Sequence, residues 1–133
     1  MSPEHNFSFQ TLSSLSGDQP QDHAYANWFK TEAIRFATNA ADKLVRISCI
    51  ETVADQAEAW GDHVNPEYEL RRAKATLMGL EERLGEAVSL FENSPSMLTP
   101  LQEALDEVVR QNADVEGDFS RATNWFRKID SLI

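Results

Sequence analysis

The apolar residues of this chain recur at alternating steps of three and four positions, the period of an amphipathic helix. One such seam occupies Leu70, Ala73, Leu77, Leu80, Leu84, Ala87 and Phe91. Another runs from Leu98 to Ile133 in the same rhythm, with Asn112 as its polar member. No segment shows the alternating pattern of a strand. The pattern predicts an all-α protein, an elongated antiparallel three-helix bundle with coiled-coil-like packing.

Two breaks divide the helical pattern, at 61–66 and at 93–96. Asn65 before Pro66 and Thr99 before Pro100 are both typical of a helix start, because an amide or hydroxyl caps the first turn and proline suits its first position. We therefore predict helices at about 23–60, 66–92 and 99–132 within a single domain, 22–133.

The first 21 residues differ from the rest, since they contain five serines, no lysine or arginine and no sustained helical period. This composition predicts an N-terminal arm, 1–21, that is mobile or docked on the bundle. Its apolar residues give it the means to pack on the body or on a partner: Phe7, Phe9, Leu12 and Leu15. Export and partner docking are the alternative roles for such a segment.

Composition narrows the class of protein. The chain has 133 residues, 12 lysines and arginines against 22 acidic residues, a formal charge of −10 and a single cysteine. One cysteine forms no internal disulfide, and no apolar run approaches the ~20 residues of a membrane span. The negative charge disfavours direct nucleic-acid binding and attachment to anionic membranes. We expect a soluble, cytoplasmic, acidic protein.

Nothing in the sequence has the arrangement of a catalytic, cofactor or metal site. The chain lacks the Glu-x-x-His pairs of helical carboxylate–metal sites, and its histidines, His5, His23 and His63, lie outside the helix interiors. Cys49 has no positioned histidine to activate it. We therefore predict a protein that is not an enzyme, with no cofactor, no metal and no catalytic residue.

The first long helix has apolar groups on two opposite sides, whereas a three-helix bundle buries one stripe of each helix. The second side is therefore a candidate surface for self-association or partner binding: Ile34, Ala41, Val45 and Cys49. The alternative is that the N-terminal arm folds back and covers it.

Two secondary candidates lie on the last helix. Segment 103–118 is strongly acidic, and four carboxylates there are candidate contacts for a basic partner: Asp106, Glu107, Asp114 and Asp118. Immediately afterwards, Arg121, Trp125 and Lys128 share one side of the helix outside the seam, as a contact hot spot would. A solvated helix surface, and a tryptophan that packs on its own bundle, are the alternative interpretations. Asn112 either bonds to a neighbouring group or sets register.

These features predict a non-enzymatic protein that binds another protein, in the manner of an inhibitor, immunity protein, adaptor or chaperone, and so masks or holds a macromolecular partner. Two alternatives stay open. One is a structural homo-oligomer, most simply a homodimer through the first helix, and the other is an acidic mimic of DNA.

Overall fold

The computed structural model describes residues 7–49 and 65–131. These residues form four helices that pack together: α1 (Phe9–Ser13), α2 (Pro20–Ser48), α3 (Pro66–Leu90) and α4 (Pro95–Ser131). The described part of the chain contains no strand, which confirms the all-α class. None of these helices is long and apolar enough to cross a bilayer.

Side-chain contacts define the directions of the helices. Lys30 bonds Glu103, Thr38 bonds Gln111 and Ser48 bonds Arg121, and each pair is separated by 73 residues. A constant separation means that α2 and α4 run parallel. Between α3 and α4 the separation falls from 42 for the Lys74–Glu116 pair to 31 for the Glu81–Asn112 pair, so these two helices are antiparallel.

The core lies between the three long helices. All seven positions of the predicted α3 seam, from Leu70 to Phe91, are buried. In α4 the buried stripe begins at Met97, Leu101 and Ala104, while Leu98 and Leu105 are only half-buried. This shift of one position has a simple cause, because a straight helix of 3.6 residues per turn drifts away from a strict seven-residue repeat.

The helix boundaries follow the capping signals with one correction. Asn65 caps α3 as predicted, since its side-chain oxygen accepts the backbone N–H of Tyr68 at 3.2 Å. The predicted start of the last helix at Thr99 is wrong. The helix begins at Pro95, where the Ser94 carbonyl accepts the N–H of Leu98 at 2.8 Å, and Pro100 lies inside the helix.

Burial explains this earlier start. Met97 and Leu101 are completely buried, and only a helix that includes both directs them to the same side. The cost of Pro100 is one missing backbone donor in the second turn. At the same end of the bundle, α2 begins at Pro20 rather than at 23. Its predicted extension from 50 to 60 lies outside the described residues.

The N-terminal segment packs on the side of α2 that faces α3. Leu12 is fully buried, and the ring of Phe7 stacks on Phe29 with centroids 4.2 Å apart. The guanidinium of Arg83 on α3 lies 5.8 Å from the ring of Phe9. The described part of the arm therefore leaves Val45, on another side of α2, 38% exposed.

Candidate protein-binding surfaces

The parallel pairing of α2 and α4 creates a long surface that contains most of the residues singled out in the sequence. On α4, positions 107, 111, 114, 118, 121 and 125 follow steps of four and three, so they share one side. We call this surface the α2–α4 face and define it by Ile34, Thr38, Val45 and Cys49 of α2 with Glu107, Gln111, Asp114, Asp118, Arg121 and Trp125 of α4.

Three contacts across this face tie the helices together. The Lys30 ammonium lies 2.7 Å from a Glu103 carboxylate oxygen, the Gln111 amide donates to the Thr38 hydroxyl at 3.0 Å, and Arg121 donates to the Ser48 hydroxyl at 3.2 Å. Each contact contributes modestly, about 0.5–1.5 kcal/mol for a neutral hydrogen bond and less for an exposed ion pair. All three have the same register of α2 against α4.

The acidic stripe of α4 is largely paired with cations. Arg110 bonds both Glu107 and Asp114, and Asp118 accepts a hydrogen bond from Arg121 at 2.7 Å. Of the six acidic residues in 103–118, only Asp106 has no ion pair within the described residues. The stripe therefore presents partly neutralised charge rather than a bare row of carboxylates.

The pairing also affects proton affinity. The hydrogen bond from Arg110, followed by that from Gln111, lowers the pKa of Glu107 and outweighs the opposing effect of partial burial. The same carboxylate raises the pKa of Arg110. The pairing therefore favours the charged form of both side chains.

Two of the predicted contact residues do not lie on the exposed surface of this face. Ala41 is only 9% exposed and belongs to the core. Asp106 is exposed but precedes Glu107 by one residue, so it is rotated by about 100° around the helix, and it accepts a hydrogen bond from Gln102 at 2.9 Å.

The C-terminal end of the α2–α4 face combines apolar and basic groups. Val45 and Cys49 are exposed, and Ile34, three turns nearer the N-terminus of α2, is half-buried. Trp125 is half-buried and meets Phe126 edge to face, with centroids 5.0 Å apart and an interplanar angle of 79°. A shallow cavity of about 380 Å³ adjoins it, lined by Arg121, Asn124, Trp125 and Lys128.

A second candidate surface, between α3 and α4, has no counterpart among the residues predicted from the sequence. The α3–α4 groove has a volume of about 920 Å³ and is lined by Lys74, Met78, Glu81, Glu82, Val109, Asn112, Ala113 and Glu116. Met78 is 56% and Val109 43% exposed. Both residues are apolar and lie outside the predicted seams. A bundle does not need apolar residues at such positions for its own core, so they could have indicated this surface.

The Asn112 amide is hydrogen-bonded to three residues of α3, as the first of its two interpretations expects. Its nitrogen donates to the Leu77 carbonyl at 3.2 Å and to the Glu81 carboxylate at 2.9 Å. Its oxygen accepts from the Lys74 ammonium at 3.3 Å, and that ammonium also lies 2.8 Å from a Glu116 carboxylate oxygen. The floor of the α3–α4 groove is thus a satisfied polar network.

Within residues 7–49 and 65–131, no three histidine, cysteine or carboxylate side chains are grouped so as to hold a metal ion. His63 lies outside these residues.

Comparison with protein-family models, with curated proteins and with solved structures gives no significant match.

Proposed function

We propose that this protein is a non-catalytic helical protein that binds another protein through the α2–α4 face and thereby masks or holds it. The observation that carries the proposal is the position of Val45 and Trp125 on one face of two parallel helices. Val45 lies level with Asp118, because the register places each α2 residue beside the α4 residue 73 positions later. Trp125 follows two turns beyond, about 10 Å along the axis.

The contacts that link α2 and α4 across this face support a binding role. The register contacts from Lys30 to Arg121 hold α2 and α4 over most of the length of α2. A surface that is already ordered loses less conformational entropy on association, which favours affinity. Trp125 beside Arg121 has the composition of an interface hot spot, since tryptophan and arginine dominate such sites.

The charge pattern favours this proposal over the mimicry of DNA. A mimic needs carboxylates that are free to replace phosphates in contacts with basic side chains. Here Arg110 and Arg121 already pair with the carboxylates that border the face. The paired network is better suited to positioning the apolar contacts than to presenting negative charge.

The test is site-specific photocrosslinking in an extract of the source cells. A benzophenone amino acid replaces Val45 in one variant and Trp125 in another. Tyr68 serves as the matched control, because it is an aromatic residue on α3 that is 58% exposed. We expect a crosslinked product of the same mass from positions 45 and 125 and none from position 68. We also expect Trp125→Ala to abolish the product formed from position 45.

Three outcomes would oppose the proposal. Equal products from all three positions would show non-specific contact, and no product from positions 45 and 125 would show that the face is not used. A product of twice the chain mass would show self-association. Light scattering after size exclusion, over a wide concentration range, distinguishes that last case, because a homodimer dissociates on dilution whereas a monomer keeps its mass.

A further inference from the structure

We propose that the α3–α4 groove is a second binding surface, one that accepts a basic amphipathic helix of another protein. It lies on the opposite flank of α4 from the α2–α4 face, and its chemistry differs. The inference does not depend on the function proposed for the α2–α4 face, since no residue is shared between the two surfaces.

The shape of the groove suits a helix. It runs along α3 from Lys74 to Glu82, a length of about 12 Å, or two turns. An amphipathic helix inserts its apolar side chains into such a groove at spacings of three and four residues. Met78 and Val109 are the large exposed apolar contacts that the groove offers, and the flexible thioether of Met78 adapts to partner side chains of different shape.

The charge of the groove selects a basic occupant. Three carboxylates line it: Glu81, Glu82 and Glu116. Glu82 is exposed and has no ion pair within the described residues, and the Glu116 side chain is 60% exposed. Glu116 pairs with Lys74 and Glu81 bonds Asn112, so Glu82 is the carboxylate open to a lysine or arginine beside the apolar stripe of a partner helix. The three carboxylates and one ammonium of the lining give the groove a formal charge of −2, which attracts a basic partner.

The single cation of the groove does not oppose such a partner. Lys74 has a side chain only 12% exposed, and its ammonium is engaged by Glu116 and Asn112 and lies 5.6 Å from the ring centroid of Phe119. Because Asn112 also has partners for its own donors and acceptor, the floor needs no hydrogen bond from the occupant. Binding therefore depends on apolar contact and on the acidic rim.

A second copy of this chain fits the groove poorly. The formal charge of the chain is −10, and a symmetric contact through this surface would bring Glu82 and Glu116 of one copy towards the same residues of the other. Like charges at an interface disfavour association. The acidic rim thus points to a partner of opposite charge.

The experiment uses the full chain and a labelled peptide of about 15 residues, built from lysine with leucines at helical spacing. Fluorescence anisotropy measures its affinity. A peptide of identical composition in scrambled order keeps the charge but loses the apolar stripe. We expect the amphipathic peptide to bind at least about tenfold more tightly than the scrambled one, a difference of about 1.4 kcal/mol.

Two matched variants locate the binding. Val109→Asp and Val45→Asp introduce the same side chain at valines that are 43% and 38% exposed on different surfaces. We expect Val109→Asp to weaken binding of the peptide at least about tenfold and Val45→Asp to leave it unchanged. Attraction by net charge alone predicts the opposite, because each variant adds a negative charge that would strengthen the binding of any cation.

A milder variant, Met78→Gln, removes an apolar contact while it keeps a strong helix former, and it should also weaken binding. Circular dichroism verifies that each variant is folded. Equal binding by Val109→Asp and by the wild type, equal binding of the two peptides, or no binding of either would overturn the proposal. Val45→Asp changes the α2–α4 face, whereas Val109→Asp changes the α3–α4 groove. The two variants therefore distinguish a failure of the groove proposal from a failure of the function proposed for the α2–α4 face.

Discussion

The amide of Gln111 on α4 donates a hydrogen bond of 3.0 Å to the hydroxyl of Thr38 on α2. It is the central one of three contacts with the same sequence separation, between the Lys30–Glu103 pair and the Ser48–Arg121 pair. Gln111 is 8% exposed and also donates to Glu107 at 2.8 Å. One side chain thus links the register of the two parallel helices to the charge network on their shared face.

A double-mutant cycle should detect this link. We expect Thr38→Val and Gln111→Ala to show a coupling energy of about 0.5–1.5 kcal/mol, the value of a partly buried hydrogen bond. Urea unfolding of the two single variants and the double variant measures it. The control pair is Thr76→Val with Gln111→Ala, because Thr76 lies on α3 and bonds to its own helix at the Arg72 carbonyl. If the changes in unfolding free energy were additive in both cycles, the Thr38–Gln111 hydrogen bond would not contribute to the packing of α2 on α4.

The sequence left open whether the N-terminal arm docks on the bundle, and in the structure α1 docks through Leu12. Leu12 is completely buried, whereas its neighbour Gln10 is exposed. We expect Leu12→Ala to lower the free energy of unfolding by about 2–5 kcal/mol, the cost of a cavity in a packed core. Gln10→Ala, in the same short helix, should change it by less than about 0.5 kcal/mol. Equal stability of the two variants would mean that the arm is not part of the folded body.

Local signals predicted the helix class and one boundary correctly but failed where two signals competed. Asn65–Pro66 was sufficient to predict the start of α3, because the helical apolar period begins directly after it. Pro95 and Pro100 both follow a hydroxyl residue, so capping chemistry alone does not choose between them. Burial of Met97 decides, and burial depends on how α4 rotates against its neighbours.

The sequence also predicted only part of the candidate binding surfaces, because local patterns do not show how the helices pack. The period of α4 places Glu107, Asp118 and Trp125 on one side whatever the helix packs against. It does not show that Ala41 is buried while Met78 is exposed. Such features depend on the angles and distances between helices, which a single sequence does not encode in any local pattern.

The turn between α1 and α2 contains the one described residue with a positive φ, Gly17 at 86°. A Cβ atom there would lie 3.1 Å from the Ser94 hydroxyl and 3.2 Å from the Met97 side chain. We expect Gly17→Ala to destabilise the protein by at least about 1–2 kcal/mol, because the left-handed backbone and these contacts both oppose a side chain.

The matched control for that turn is Gly117, which lies inside α4. A Cβ atom at Gly117 would meet no side chain and no neighbouring helix within 4 Å. Alanine is a better helix former than glycine, so Gly117→Ala should stabilise the protein by about 0.5–1 kcal/mol. Thermal or urea unfolding compares the two variants. We expect the two changes in the free energy of unfolding to have opposite signs. Destabilisation by both substitutions would indicate that α4 is not a regular helix at Gly117.

Asp22 ties the same turn to the start of α2. Its carboxylate accepts the Ser16 hydroxyl at 2.9 Å and the backbone N–H groups of Gly17 at 3.1 Å and Gln19 at 3.4 Å. Burial acts to raise the pKa of Asp22, but these hydrogen bonds together outweigh it and lower the pKa below the ordinary value of 3.8. The charged form is therefore favoured in the folded state.

A group whose pKa is lower in the folded state than in the unfolded state contributes stability above the unfolded value and loses it as the pH falls through the folded value. We therefore expect Asp22→Asn to lower the melting temperature at pH 7. The difference from wild type should narrow as the pH falls below the ordinary aspartate value of 3.8 and should vanish once Asp22 is protonated. The control is Asp42→Asn, at an exposed position of α2, which should show a small difference. A gap for Asp22→Asn that is the same at every pH would mean that the carboxylate charge does not anchor the turn.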